Sequence, residues 1–247
     1  MTRVVVRYLP ILILALAWEA ASRLGLFSSL TLPALGDVAA SWLELIRDGD
    51  LVSNGLTSMY RGTAGLVLAV VIGGGLGVAM ASSRVVNALL AAPIEVFYPL
   101  PKSALIPVTV LWLGFGDGSK ILLIFLGCMI PVTIGAYNGA RGSDQVLLWS
   151  ARSMGASRLR TLCDVVVPSA LPEMLNGIRT ALALSFILLV SSELIAAQQG
   201  FGYLIGYLGD NGSYPGMFAV VLTVAFLGFA ADRLFQLLTG WLLRWRD

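Results

Sequence analysis

Between Gly62 and Ser83 the chain carries no charged side chain. A helix advances about 1.5 Å per residue, and about 20 apolar residues in a row suffice to cross the hydrocarbon of a bilayer. Such a run specifies a membrane-spanning helix before anything else about the chain is considered. It is not isolated: long, charge-poor runs recur to the end of the 247 residues. Only 12% of the chain is charged against 57% hydrophobic, whereas a soluble domain carries about a quarter charged residues. A soluble fold with a large core would still need that charged surface, so the expected class is an all-α membrane protein.

Six spans are expected, at about residues 8–24, 61–82, 87–113, 119–140, 171–196 and 216–241, in one membrane domain covering 1–247. The first follows Arg3 and Arg7 and has the outline of a signal peptide. No small-x-small cleavage site follows, and Trp18-Glu19 interrupt where one belongs, so it reads as an uncleaved span. Asp37 to Leu45 is amphipathic, with Val38, Trp42 and Leu45 on one face, and Asp48-Gly49-Asp50 makes a turn. Arg61 marks the outer end of the second span, whose Gly73-Gly74-Gly75 and Gly77 invite a close helix neighbour. The third span is interrupted by Pro93, Pro99, Pro101 and Pro107, which free carbonyls that must find partners in protein or in a wet cavity. Gln198 to Pro215, rich in Gly and Tyr, reads as an outer loop.

Orientation follows from the basic residues. Arg3, Arg7, Arg84, Arg141, Arg152, Arg158, Arg160, Arg244 and Arg246 fall on one side of this topology. Arg23, Arg47, Arg61 and Lys120 fall on the other. The richer side is expected to be cytoplasmic, with both termini inside.

Several chemistries are excluded. The chain has no histidine, the commonest general base and metal ligand. Cys128 and Cys163 fall on different sides of the topology, which argues against a disulfide, and no metal-ligand spacing is present. There is no Gly-x-x-x-x-Gly-Lys-Ser/Thr phosphate loop. No catalytic residue, metal site or bound cofactor is expected, and a net charge of +2 gives no sign of a nucleic-acid partner.

One polar stretch stands apart, Trp149 to Pro168, which carries Arg152, Arg158 and Arg160. Asp144 can cap a short helix beginning near Gln145. Gly155 breaks it, and Ser157 caps a second helix through Leu159, Leu162 and Val166. Pro168 is expected to end that second helix.

These residues resemble the EAA loop in the inner-membrane subunits of ATP-binding cassette (ABC) importers. That pattern is Glu-Ala-Ala, three residues, Gly, nine residues, Ile-x-Leu-Pro. Ala151 matches the second Ala, Gly155 the Gly, Val165 the Ile, Val167 the Leu and Pro168 the Pro; Trp149 and Ser150 replace Glu and the first Ala. Pro99-Leu-Pro-Lys-Ser-Ala-Leu-Ile-Pro107, Leu111-Trp-Leu-Gly-Phe-Gly116 with Ser119-Lys120, and Gly200-Phe-Gly-Tyr-Leu-Ile205 look like the branch importing aliphatic sulfonates, taurine, nitrate or pyrimidine precursors.

The resemblance implies a type I ABC importer permease of the bacterial inner membrane, moving a small anionic or polar solute inward. It implies a coupling helix docked in a cleft of a separate ATPase, with Ala151, Arg152, Met154, Gly155, Ala156, Ser157, Arg158, Arg160, Val165 and Pro168 as coupling residues. The implied partners are two ATPase copies carrying ATP and Mg, a second copy of this permease, an extracytoplasmic solute-binding protein and membrane lipid. Expected path-lining residues are Pro99, Pro101, Lys102, Ser185, Ser191, Ser192 and Glu193. A rival reading is a gradient-driven carrier using Glu95, Glu193 or Asp232 as a relay.

Overall fold

The structure is a computed structural model that describes residues 2–28 and 30–246, with side chains described from Leu9 to Trp245 apart from position 29. Among the described residues the chain is helical and has no strand. In order come α1 (Thr2–Arg23), α2 (Leu35–Arg47), α3 (Asp50–Ser82), α4 (Arg84–Phe97), a short 3-10 turn (Lys102–Leu105), α5 (Ile106–Leu113) and α6 (Asp117–Arg141). Then follow α7 (Gln145–Ser153), α8 (Arg158–Thr161), a π turn (Leu162–Val166), α9 (Val167–Ala196), α10 (Phe201–Asp210) and α11 (Tyr214–Leu242). The helices α3 and α6, the stretch Arg158–Ala196, and α11 are each long and apolar enough to cross a membrane. The pair α4 and Lys102–Leu113 qualifies only together, bent by 97° at the prolines. The expected first span falls on α1; the side chains of Arg3 and Arg7, which orient it, lie outside the described residues.

The bundle is built around α3, α6 and α9. Ala69, Ile124, Cys128, Val132, Ala181 and Leu188 fill its centre, while Val67, Val71, Phe226 and Leu237 stay exposed, as suits side chains that face lipid. Small residues set the spacing. A Cβ on Gly73 would lie 2.8 Å from the Met129 carbonyl, and one on Gly77 would run into the Thr133 carbonyl. Gly135 and Gly177 likewise bring α6 and α9 backbone to backbone. Of the four glycines in the 73–77 cluster, only Gly73 and Gly77 make these tight contacts.

A second apolar cluster sits at the end of the bundle away from the hairpin. It joins Val38 and Leu45 of α2 and Leu51 of α3 to Phe201 and Leu204 of α10 and Val220 of α11. Trp42, expected on the same face of α2, is partly exposed and donates from Nε1 to Thr223 Oγ1 at 3.0 Å.

Three expectations are corrected. Helix α3 begins at Asp50, so Arg61 lies inside it and does not mark its outer end. The supposed Gly- and Tyr-rich loop contains the helix α10. Pro168 does not stop a helix: Arg158 to Ala196 runs on without a break. The reason lies in the π turn before the proline, where Val167 N donates to Leu162 O, five residues back. The wider turn makes room for a ring that would otherwise strike the carbonyl four residues earlier.

Candidate functional sites

The hairpin forms at the bundle end where α3 finishes and α6 finishes. Asp144 Oδ1 accepts from Val146 N at 2.8 Å and so caps α7. At the far end of α7, Gly155 takes φ +81°, a left-handed conformation. Its N–H donates to Arg152 O and the Ala156 N–H donates to Ala151 O, each at 3.0 Å. Those two bonds are the paired closure that a glycine just past a helix end permits. Ser157 Oγ then accepts from Arg160 N at 3.3 Å and caps α8.

Ala151 is buried beneath this turn, and Arg152, Arg158 and Arg160 are exposed around it. Arg160 pairs with Asp164 at 3.3 Å. Three apolar side chains stand out into solvent among them: Trp149 is 63% exposed, Met154 79% and Leu159 71%. Val165 and Pro168 are half-buried on the way into the bundle. An apolar tip ringed by arginines suits docking against another protein. The sequence pointed to the arginines and to Met154, but not to Trp149 or Leu159 as contact surface.

The opposite end holds a polar centre that the sequence did not reveal. Glu193 of α9 is 0% exposed. Its carboxylate accepts from Ser58 Oγ at 2.9 and 2.7 Å, from Arg61 Nη1 at 2.9 Å and from Gly202 N at 3.1 Å. Arg61, 5% exposed, also donates to Asp117 Oδ1 and to Gln199 O, each at 2.7 Å. Asn54 Oδ1 accepts from Gly200 N at 2.7 Å, and Ser58 Oγ accepts from Phe201 N at 2.8 Å. The orphan N–H groups that open α10 are therefore satisfied by side chains of α3 and α9, with a carboxylate at the positive end of the helix.

Gly200 at φ +119° and Gly202 lie against Glu193 so closely that no Cβ fits. Lys120, 1% exposed, donates to the carbonyls of Phe115 and Ala196. It ties the start of α6 to the end of α9. One cue was available in the sequence: Asn54, Ser58 and Arg61 recur at helical spacing.

The expected path residues do not converge on one surface. Lys102 Nζ donates to Phe97 O at 2.6 Å, Tyr98 O at 3.0 Å and Leu100 O at 2.7 Å. It satisfies carbonyls released by the break at Pro99 and Pro101 and does not pair with Glu95, which is exposed. Ser185 and Ser192 are buried and donate to Leu182 O and Leu189 O of their own helix. With Glu193 sealed in its cluster, these three line no open surface in this conformation, because each polar atom is already bound inside the bundle.

Ser191 instead lines an open groove of about 540 Å³ between α9 and α11, together with Arg179 and Asp232. Those two form a bidentate pair, Nε to Oδ1 at 2.7 Å and Nη2 to Oδ2 at 3.2 Å. Glu193 and Asp232, two of the carboxylates that a gradient-driven relay would need, are thus both held by arginines.

The family described as "binding-protein-dependent transport system inner membrane component" matches residues 65–244. The taurine transport system permease protein of Escherichia coli K12 is 34% identical over 225 residues, covering 89% of this chain and 82% of the relative. A Bacillus subtilis protein assigned as an aliphatic sulfonates transport permease is 33% identical over 239 residues, covering 97% and 86%. Among solved structures, the inward-facing MetNI methionine ABC transporter superposes with a TM-score of 0.67 at 20% identity, over 78% of this chain and 96% of that one. An amino acid ABC transporter superposes with a TM-score of 0.63 at 14% identity, over 82% and 97%.

Proposed function

We infer the function from one premise: this chain belongs to the family of binding-protein-dependent transport system inner membrane components. It is a multi-pass permease subunit of an ABC importer, a translocation component and not itself an enzyme, which works with an ATPase and a solute-binding protein.

Beyond that premise, the proposed cargo is a small sulfonate-class anion, as named for the taurine and aliphatic sulfonates relatives. The assembly proposed is two permease copies and two ATPase copies, with both termini and the hairpin in the cytoplasm. ATP and Mg act on the ATPase, and this chain carries no cofactor. The coupling surface is Ala151, Arg152, Met154, Gly155, Ala156, Ser157, Arg158, Arg160, Val165 and Pro168, to which Trp149 and Leu159 are added. The path is assigned to the Pro99–Lys102 break and the Ser191 side of α9. Ser185, Ser192 and Glu193 would come to line it only if α9 separated from α3 and α6, breaking the Glu193 cluster.

The observation that carries this reading is the shape of the hairpin. The left-handed Gly155 closes α7 beneath an apolar tip, and three arginines ring it. Shape and apolar packing supply the grip, while the arginines set register. A packed helical element of this size transmits motion as a rigid body, so closure of the ATPase pair would draw two hairpins together and open the path outward.

The test is Gly155→Val. No neighbour lies within 4 Å of a Cβ at this position, but φ +81° is strained for a β-branched residue. The variant should insert and fold normally, yet lose ATP-driven sulfonate uptake in vesicles. Uptake at the wild-type rate would remove the docking role.

A further inference from the structure

The hairpin does not lie flat against the bundle. Between it and the ends of α3 and α6 is a cleft of about 1230 Å³. Arg84 from the start of α4, Arg141 from the end of α6, Arg152 from α7 and Arg158 from α8 all line it. No Asp or Glu contributes to the wall. Tyr137 OH accepts from Arg141 Nη1 at 3.0 Å, with the guanidinium lying over the Tyr137 ring. The acidic residues nearest in sequence are engaged elsewhere, Asp144 as the α7 cap and Asp164 with Arg160.

Behind the same wall lies an unmet polar group. Thr161 is 5% exposed, and its Oγ1 is buried without any hydrogen-bond partner. A buried hydroxyl without a partner is costly, and native structures rarely leave one so. Thr161 sits directly before the π turn, a feature found often at functional sites. Leu162 and Val166 of that turn add apolar wall beside the arginines.

We propose that this cleft is a binding site for a phosphate-bearing anion, supplied either by the headgroup of an anionic phospholipid or as free phosphate. Guanidinium groups suit phosphate oxygens because they present paired donors in one plane, and four arginines share this wall. The mixed polar and apolar wall matches a headgroup with the first part of its glyceride better than a bare ion. Basic pockets between helices on the cytoplasmic side are where such headgroups bind. The site lies under the coupling hairpin, so its occupant would set how firmly that hairpin rests on the bundle. Arg152 and Arg158 are shared with the proposed coupling surface, so the variants that test this site are placed on Arg84 and Arg141, which are not.

The experiment uses the intact assembly of this permease with its ATPase, purified in detergent and titrated with fluorescent phosphatidylglycerol, with phosphatidylcholine as the neutral control. Phosphatidylglycerol should bind and phosphatidylcholine should not. Arg84→Gln with Arg141→Gln should weaken phosphatidylglycerol binding about 30-fold, two cationic contributions at a membrane surface. Arg84→Lys with Arg141→Lys keeps the charge but not the paired donors and should recover part of the loss, which separates charge from misfolding.

Inorganic phosphate is the second arm. Displacement of the labelled lipid by phosphate assigns the site to either source, and a lack of displacement assigns it to the lipid. Equal lipid binding by wild type and the Gln pair, or binding of neither anion, overturns the proposal. Binding that appears only once the ATPase is stripped away also overturns it, because the cleft would then belong to an acidic surface of that subunit.

Discussion

Glu193→Ala is the perturbation with the largest consequence for the fold. It removes a carboxylate on which Ser58, Arg61 and the Gly202 N–H converge, at a residue with no solvent exposure. Deleting one member of a buried ion pair costs about 3–5 kcal/mol, because the survivor is left charged where water cannot reach it. Arg61 is not wholly abandoned, since it keeps half-exposed Asp117 and the Gln199 carbonyl. That pulls the electrostatic part toward the lower end of the range. The Gly202 N–H, however, loses its acceptor, and an unmet buried donor costs about 1–3 kcal/mol. The sum points to about 4 kcal/mol.

Glu193→Gln keeps a neutral acceptor and should cost about half as much, close to a hydrogen bond to a charged group. Pairing Glu193→Leu with Arg61→Met removes both charges, and isosteric apolar replacement of a buried pair is often near neutral. The double variant should therefore be more stable than either single one, which requires a coupling in the cycle larger than the cost of either single change. The assay is denaturant unfolding of the purified permease in micelles, with α10 followed by hydrogen exchange. Additive effects in that cycle, or a loss below about 1 kcal/mol for Glu193→Ala, would refute the argument that this cluster anchors α10.

The remaining predictions concern the hairpin and the helix contacts. Asp144→Ala and Ser157→Ala each delete a capping acceptor and should loosen their own short helix by about 1 kcal/mol, read as faster amide exchange over residues 144–161 with the spans unchanged. Pro168→Ala restores the missing N–H and removes the ring, so the π turn should close to a regular turn and swing α8 about the axis of α9. Uptake should fall while insertion and melting stay near wild type. Gly77→Leu forces α3 away from the Thr133 carbonyl and should cost at least the 1–3 kcal/mol typical of overpacking, whereas Gly75→Leu, which meets open space, should cost far less in the same melting assay. Gly155→Val should separate insertion from transport, as described above.

The parts legible from sequence are those decided by neighbouring residues. Asp144, Gly155 and Ser157 occupy the cap and turn positions that their side chains dictate, because each acts within three residues of itself. Four of the expected spans coincide with helices long and apolar enough to cross a membrane, and a fifth with the bent pair, because lipid leaves a charge-free run no alternative to a helix. Pro168 was misjudged because the rule that proline stops a helix omits the wider turn that accommodates it. The loop reading of residues 198–215 failed for a different reason. Gly200 and Gly202 look like breakers on their own, but here they are small because Glu193 occupies the space where a Cβ would go. That contact spans only 9 residues for Gly202 but depends on Ser58 and Arg61, which are 135 and 132 residues from Glu193. No local pattern encodes it. Lys102 lies between these cases: it was expected beside the path, but its use as a cap for three carbonyls follows from the 97° bend and not from composition.

These contacts also say where motion can and cannot occur. Arg158 to Ala196 is one helical rod of 39 residues, about 58 Å long at the usual rise. The hairpin sits at one end of it and Glu193 near the other. Bending that rod alone would part Gly177 from Gly135 and open a gap in the close backbone packing of α6 on α9. Sliding it alone would pull Glu193 out of reach of Arg61. The rod is thus fastened to α3 and α6 near both ends, and a force on the hairpin must move the three helices as one body. The compliant places are elsewhere. The α4–α5 break is held by one lysine side chain, and α11 faces α9 across an open groove bridged by the Arg179–Asp232 pair. A displacement entering at the hairpin therefore emerges as movement of the α3–α6–α9 body against the proline-broken segment and α11. Those are the surfaces on which Pro99, Pro101 and Ser191 lie.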